Sequence, residues 1–177
     1  MAGSKLDKPL DAVIKDILAL NTLKEDRSIA IMAASILDYW LGRAILTRLV
    51  ELTDDKEREA FFENGGSGPL SSMSRKIWIG YGLGLYKVEA RKDLLAIKNI
   101  RNKFAHSDEH IDFTDQSITG LANSLFAPKY LAASSMKPEQ TDPKERYLDS
   151  IHHLVSGFHL ATKFHIHRPP AADTLQY

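Results

Sequence analysis

The sequence has 177 residues and balances 23 lysines and arginines against 23 aspartates and glutamates. Its length suits a single domain with a substantial core, and its neutral net charge provides no overall attraction for nucleic acid. Because it contains no cysteine, disulfides, thiolate catalysis and cysteine zinc sites are excluded. No apolar run approaches the roughly 18 residues that cross a bilayer, so we expect a cytoplasmic protein with no membrane contact and no cofactor.

The spacing of apolar residues is helical almost throughout the chain. It predicts a first helix at roughly 9–20, where Pro9 suits the first turn. A second helix at roughly 27–52 is apolar nearly all the way round and rich in small residues, which is typical of a central, buried helix. A short third helix is predicted after Asp54, which has Glu57 three residues later in a capping-box arrangement.

The second half of the chain adds four more predicted helices. One follows Ser72 and turns near Gly84, and the next spans roughly 88–105. The segment "TDQSITGLANSL" is predicted to be a short capped helix. By contrast, "FAPKYLAASSMKPEQTDPK" contains three prolines and is predicted to be a long surface loop. "ERYLDSIHHLVSGFHLATKFHI" forms the final helix.

Together these elements predict an all-α fold, a single compact bundle of about six to seven helices. We find no internal repeat and no convincing pair of strands. We expect one domain over residues 1–168 and a disordered C-terminal tail over residues 169–177, where prolines and polar residues replace the apolar pattern.

The segment "IRNKFAHS" ends the helix predicted at roughly 88–105 and combines an arginine, an amide and a histidine, which could hold a phosphate and transfer a proton. At about 100° per residue, Arg101 falls within the apolar stripe of that helix. A guanidinium buried there needs an acidic partner. Asp38 on the second helix is a candidate, because it shares a helix face with Arg27. We therefore predict an internal network of Arg27, Asp38 and Arg101.

His106 has two interpretations. As a structural residue, it is a helix-terminal histidine that the helix dipole favours, with Ser107 starting the exit loop. As a functional residue, it would join Asn102 in contacting a partner at the surface. The residues alone leave both interpretations open.

Three further groups of residues could carry chemistry, and each has a simpler structural explanation. The glycines of "IGYGLGL" do not follow a dinucleotide-binding pattern and fit a helix end. Ser72 and Ser74 have no neighbouring base and are better explained as helix caps. Five C-terminal histidines could bind a metal, but no carboxylate lies at ligand spacing beside them, so we expect packing or surface roles. They are His152, His153, His159, His165 and His167.

Several separated blocks, in order over roughly residues 20–120, resemble the mannitol operon repressor (MtlR-like) family. The family pattern joins an Asp-Arg and a later acidic residue in one helix with a Pro-Leu-x-Ser-x-Ser-x-Lys/Arg-Ile segment, a Tyr-x-Leu-Gly-Leu turn and an Ile-Arg-Asn-x-Phe-Ala-His end. One block alone would be a weak signal, whereas their shared order is specific. The matching positions are Asp26, Arg27, Asp38, Pro69, Leu70, Ser72, Ser74, Ile77, Tyr81, Leu83, Gly84, Leu85, Ile100, Arg101, Asn102, Phe104, Ala105 and His106.

The resemblance implies an all-α fold and a role in repressing genes for carbohydrate uptake or mannitol utilisation. It also implies action through protein partners, including a phosphocarrier of the sugar phosphotransferase system, because the family lacks an evident helix-turn-helix. The residues themselves agree with action through protein partners, since we find no amphipathic basic helix and only scattered cations. We therefore expect a transcriptional regulator rather than an enzyme, with only weak direct binding to DNA. The sequence leaves the oligomeric state open, and a homodimer is one alternative.

The Arg-Asn-x-x-x-His block also resembles the motif of HEPN domains, small helical bundles that often dimerise and in some members cleave RNA. That resemblance implies a ribonuclease in which Arg101 stabilises the reacting phosphate, His106 transfers a proton and Asn102 positions the substrate. The expected burial of Arg101 argues against it, unless the buried face is a dimer interface. RNA binding or cleavage is therefore the alternative function.

Overall fold

The structure is a computed structural model that describes residues 15, 18–20, 22–49, 54–62, 67–134, 138 and 141–163. Within these residues all regular structure is helical, which confirms the predicted fold class. Most of the helix predicted at 9–20, the domain boundary at residue 168 and the tail at 169–177 lie outside the described residues. The helices are α1 (Asp26–Leu46), α2 (Asp55–Phe62), α3 (Met73–Gly82), α4 (Val88–His106), α5 (Gln116–Asn123), α6 (Ala127–Ala133) and α7 (Pro143–Lys163).

Helix α1 lies at the centre of the fold. It packs against α7, α4 and α3, and its alanines Ala30, Ala33 and Ala34 are almost completely buried. Because these side chains are short, neighbouring helices can approach closely. Tyr147 of α7 fills the adjacent space and donates its hydroxyl to the Ala30 carbonyl at 2.8 Å. The prediction of a central, buried helix is confirmed, although α1 ends at Leu46.

The same helix is long and apolar enough to cross a membrane, with a mean hydropathy of 1.5 in its most apolar stretch. The expectation that no apolar segment is long enough to cross a bilayer is therefore wrong for α1. However, 56% of this stretch is buried within the protein, where its apolar side chains form part of the core. Packing against other helices accounts for the hydropathy of α1.

Helix α6 corrects the prediction of a long surface loop over residues 126–144. Its N-terminus is capped by Asp93 of α4, whose two carboxylate oxygens accept from the backbone N–H groups of Phe126 and Ala127 at 2.8 and 2.9 Å. Pro128 lies in the first turn, where its missing N–H needs no partner. Because the capping carboxylate belongs to a distant helix, the local sequence does not contain the signal that starts α6.

A tight turn joins α3 to α4 and depends on two glycines. Gly84 has a φ of 67°, a left-handed conformation that favours glycine. At Gly80, an added Cβ would lie 2.9 Å from the Tyr86 hydroxyl. That hydroxyl is not free to move, because it donates to the Ile77 carbonyl at 2.7 Å and the ring packs against Phe158. Close packing thus requires Gly80, and backbone conformation requires Gly84.

We expect Gly80→Ala to lower the free energy of unfolding by about 1–3 kcal/mol, because the new methyl group displaces Tyr86 from its hydrogen bond. Gly82→Ala is the matched control, since nothing lies within 4 Å of an added Cβ there and alanine is the better helix former. Urea denaturation measures both free energies. Equal stability of the two variants would contradict the close approach of Tyr86 to Gly80.

Candidate functional site

The segment that follows α4 is held in place by the start of α1. Arg27 donates from Nη2 to the Ser107 carbonyl at 2.8 Å and to the Glu109 carbonyl at 2.9 Å. Beside it, Asp26 accepts from the Phe113 backbone N–H at 3.1 Å. These bonds join residues far apart in the sequence. They fix the chain from Ser107 to Phe113 against the first turn of α1.

A cleft with a volume of about 550 Å³ opens beside this contact. At the first turn of α1, Asp26 also pairs with Lys144 Nζ at 3.0 Å. Hydrogen bonds from the hydroxyl and the backbone N–H of Thr114 lower the pKa of Asp112, another lining residue, and keep its carboxylate charged. Cations and acids alternate here, so the cleft does not favour a ligand of one charge. Its lining residues are Lys24, Glu25, Asp26, Arg27, His110, Ile111 and Asp112.

The three polar residues of "IRNKFAHS" differ in their surroundings. Arg101 is half-buried and donates from Nη1 to Asn102 Oδ1 at 3.0 Å, a contact within α4. Burial raises the pKa of the Tyr147 phenol, and the nearby Arg101 guanidinium opposes that rise. His106 is exposed at the end of α4, one turn from the half-buried Asn102 on the same face. Arg101 therefore lies on the core side, whereas His106 and Asn102 reach the surface.

The predicted network of Arg27, Asp38 and Arg101 is wrong, because each of the three residues has a different partner. Asp38 forms an ion pair with Lys76 of α3, with 2.7 Å between Oδ2 and Nζ. Arg27 binds backbone carbonyls after α4, and Arg101 binds the Asn102 side chain. The Lys76 side chain is only 9% exposed, and a buried ammonium needs a nearby counter-charge. The carboxylate of Asp38 is therefore taken up by Lys76.

Lys76 and Asp93 are the two residues here to which the sequence analysis assigned no role, although Lys76 occupies the Lys/Arg position of the family pattern. Lys76 lies four residues before Gly80, on the buried side of α3. Asp93 directly precedes Leu94 and is buried in α4. A charged residue on the buried side of an amphipathic helix is the pattern that could have found both. Such a residue must be paired or must cap another element.

The other candidate groups have structural contacts. His159 lies edge-on to Trp40 with 4.9 Å between ring centres, and His153 lies beside Tyr130 at 5.5 Å. Ser72 caps α3 by accepting a backbone N–H at 3.3 Å, as predicted. Ser74 lies inside α3, so its prediction as a cap is wrong. The two histidines after residue 163 lie outside the described ranges, within which no group of three or more histidine or acidic side chains could hold a metal ion.

Comparisons with known proteins identify the family. The family model described as "Mannitol repressor" (MtlR) matches residues 59–157, which is more than half of the chain. The chain belongs to the mannitol repressor family. The matched residues run from α2 into α7 and contain all of α4. The match extends further towards the C-terminus than the predicted range of residues 20–120, but it begins only at residue 59 and so does not include Asp26, Arg27 and Asp38.

Two solved structures share this fold. One is a chain of the MtlR–HPr complex from Escherichia coli, with a TM-score of 0.63 and 22% identity, covering 82% of this chain and 97% of that chain. The other is a possible transcriptional regulator, YggD, from Shigella flexneri, with a TM-score of 0.58 and 16% identity, covering 85% and 98%. No curated protein matches this chain in sequence. At these identities the two structures support the shared fold.

Double-mutant cycles distinguish the observed ion pair from the predicted network. We expect Asp38→Asn and Lys76→Met to couple by about 1–3 kcal/mol in the free energy of unfolding, because the two charges are in contact and the Lys76 side chain is only 9% exposed. Asp38→Asn and Arg101→Met form the matched cycle and should couple by less than about 0.5 kcal/mol. Chemical denaturation of the single and double variants provides both values. A coupling of Asp38 to Arg101 that exceeds its coupling to Lys76 would instead support the predicted network of Arg27, Asp38 and Arg101.

His159 makes stability depend on pH. Burial lowers the pKa of its imidazole, and the nearby Lys163 adds to this effect. Since the ordinary pKa is about 6.5, the unfolded chain takes up the proton first. The stabilisation by neutral His159 is present above that pH and is lost as the pH falls towards the lower folded pKa. His159→Gln should therefore reduce the loss of unfolding free energy between about pH 7 and 5. Identical pH profiles of the two proteins would rule out this role for His159.

Proposed function

We propose that this member of the mannitol repressor family is a cytoplasmic transcriptional regulator that acts mainly through protein contacts in the control of carbohydrate utilisation. The family match over residues 59–157 carries this proposal. One structure with the same fold is described as a possible transcriptional regulator, and the other comes from a complex of MtlR with HPr. Protein binding is therefore the mode of action that these relatives support.

A phosphocarrier protein is the partner that we propose, by analogy with the MtlR–HPr complex. The contact surface would contain Asn102 and His106 at the end of α4, followed by the loop that begins at Ser107. Arg27 supports this assignment, because its two hydrogen bonds to backbone carbonyls hold the loop in one position. A surface that is ordered before binding loses less conformational entropy when the partner arrives.

The chemistry of this surface suits a partner that associates and dissociates. Its side chains are polar, and the exposed residues include His106, Asp108 and Glu109. Permanent interfaces are larger and more apolar, whereas regulatory contacts are more polar. A polar surface around the end of α4 is therefore consistent with a reversible regulatory contact.

The ribonuclease alternative has less support. A proton-transferring group and a phosphate-binding arginine must face the same substrate. Arg101 donates to Asn102 and lies near the buried Tyr147, whereas His106 is exposed at the helix end. We propose that these side chains serve packing and partner contact, without a catalytic step.

Calorimetric titration with an HPr-type phosphocarrier tests the contact surface. We expect the double variant Asn102→Ala with His106→Ala to bind about ten to a hundred times more weakly, because two polar contacts of about 0.5–1.5 kcal/mol each are removed. Asn123→Ala, exposed at the end of α5, is the matched control and should bind like the wild type.

Failure of the wild-type chain to bind the phosphocarrier would remove the proposed partner. Equal affinity of the double variant and the wild type would place the contact elsewhere. RNA cleavage by the wild type that is lost in His106→Ala would instead establish the ribonuclease alternative. Circular dichroism of each variant verifies that the fold is retained.

A further inference from the structure

Helices α3 and α4 bring one arginine and two aromatic rings together at the surface. The guanidinium carbon of Arg91 lies 4.3 Å from the centre of the Tyr81 ring and 4.9 Å from the centre of the Trp78 ring. Trp78 is 55% exposed, so solvent reaches these side chains. Stacking on aromatic rings orients a guanidinium without neutralising its charge. We name Trp78, Tyr81 and Arg91 the arginine–aromatic cluster.

The nitrogen atoms of Arg91 differ in their surroundings. Nε is shielded from solvent and has no hydrogen-bond partner. The two Nη atoms also lack a partner within the described part of the chain, but they are not shielded in this way. Paired N–H groups of a guanidinium match the two oxygens of a carboxylate. Arg91 is therefore an ordered cation whose outer N–H groups are available to an external acceptor.

No acid of α3 or α4 neutralises this cation. Helix α3 contains no acid, and those of α4 are Glu89 and Asp93, each two residues from Arg91 and so about 160° away around the helix. Asp93 is moreover occupied as the cap of α6. Lys87 and Lys98 share the face of Arg91, and neither forms an ion pair with a residue in the described ranges. The surface around the cluster is therefore complementary to a negatively charged partner.

An uncovered apolar surface adjoins this charge. Gly82 follows Trp78 by one turn on the same side of α3, and an added Cβ at Gly82 would meet nothing within 4 Å. The space beside the exposed indole is therefore open to an incoming side chain. Tryptophan, tyrosine and arginine are also the residues that most often dominate the binding energy of protein interfaces. A phosphate would use the cation alone, whereas a protein segment can use both the cation and the indole.

We propose that the arginine–aromatic cluster binds an acidic segment of a protein partner. A carboxylate of that segment accepts from the Nη atoms of Arg91, and a neighbouring apolar side chain packs on Trp78 beside Gly82. Lys87 and Lys98 add attraction at longer range, which salt weakens. The proposal stands on the contacts and charges of α3 and α4, and it does not depend on a role in transcription.

This site is separate from the surface that we assign to the phosphocarrier. From Arg91 to His106, α4 rises about 22 Å, so the two sites lie near opposite ends of the helix. Their charges also differ, because acidic side chains, among them Asp108 and Glu109, follow the end of α4. The two surfaces therefore select partners of different charge.

NMR titration of the ¹⁵N-labelled full chain tests the proposal without a mutation. The sequence has two tryptophans, of which Trp40 is buried and Trp78 is exposed. A short, end-blocked peptide in which glutamates flank one phenylalanine should shift the indole N–H signal of Trp78 and leave that of Trp40 unchanged. The same peptide with glutamine in place of every glutamate should shift neither signal, because Arg91 requires a charged acceptor.

Two variants separate recognition of a carboxylate from general attraction between charges. Arg91→Lys retains the positive charge but removes the planar fork. It should bind the acidic peptide about ten to a hundred times more weakly, because a point charge replaces a pair of charge-assisted hydrogen bonds. Lys129→Gln removes a charge at an exposed position of α6 and should bind like the wild type. Circular dichroism verifies that both variants retain the fold.

Absence of a Trp78 shift in the wild type would overturn the proposal, as would equal shifts with the two peptides. Equal affinities of Arg91→Lys and the wild type would also overturn it, and so would tighter binding of a single-stranded RNA than of the acidic peptide. Phosphocarrier titration of the same samples distinguishes the two proposals. Arg91→Lys should retain phosphocarrier binding, whereas failure of the wild type to bind the phosphocarrier removes only that partner.

Discussion

The burial of α1 is the constraint on which the positions of the other helices depend. Its alanines allow α7, α4 and α3 to approach closely, and Leu37 and Leu41 are fully buried among them. A buried leucine contributes about 1.5–3 kcal/mol relative to exposure, so this helix determines where its neighbours can pack. Its first turn also supplies Asp26 and Arg27, which hold the chain after α4. Packing at the centre is thereby connected to the surface at the end of α4.

Helix α4 presents two chemically different surfaces along its length. Near its start, Arg91 stacks on the rings of Trp78 and Tyr81. Its end carries Asn102 and His106, followed by a loop with several acidic side chains.

Periodicity predicted the helices whose stabilisation is local or comes from a continuous apolar stripe. It identified α1 as central and α4 as amphipathic, and it located the turn at Gly84, where a positive φ requires glycine. It did not predict α6, because the cap comes from Asp93 on another helix. Helix geometry also indicated that Arg101 needed a partner, but it did not identify Asn102 as that partner or Lys76 as the partner of Asp38. The long stem of Lys76 and the side chain of Asn102 supplied these contacts.

The most direct test of the protein-contact role is a map of the partner surface by NMR. Titrating the ¹⁵N-labelled chain with unlabelled phosphocarrier should shift the amide signals of Asn102, His106 and the loop from Ser107 to His110. Signals of α6 should stay unchanged, because that helix lies outside the proposed surface. Shifts confined to the ends of α5 and α6, or no shifts at saturating partner, would contradict a regulator that acts through the end of α4.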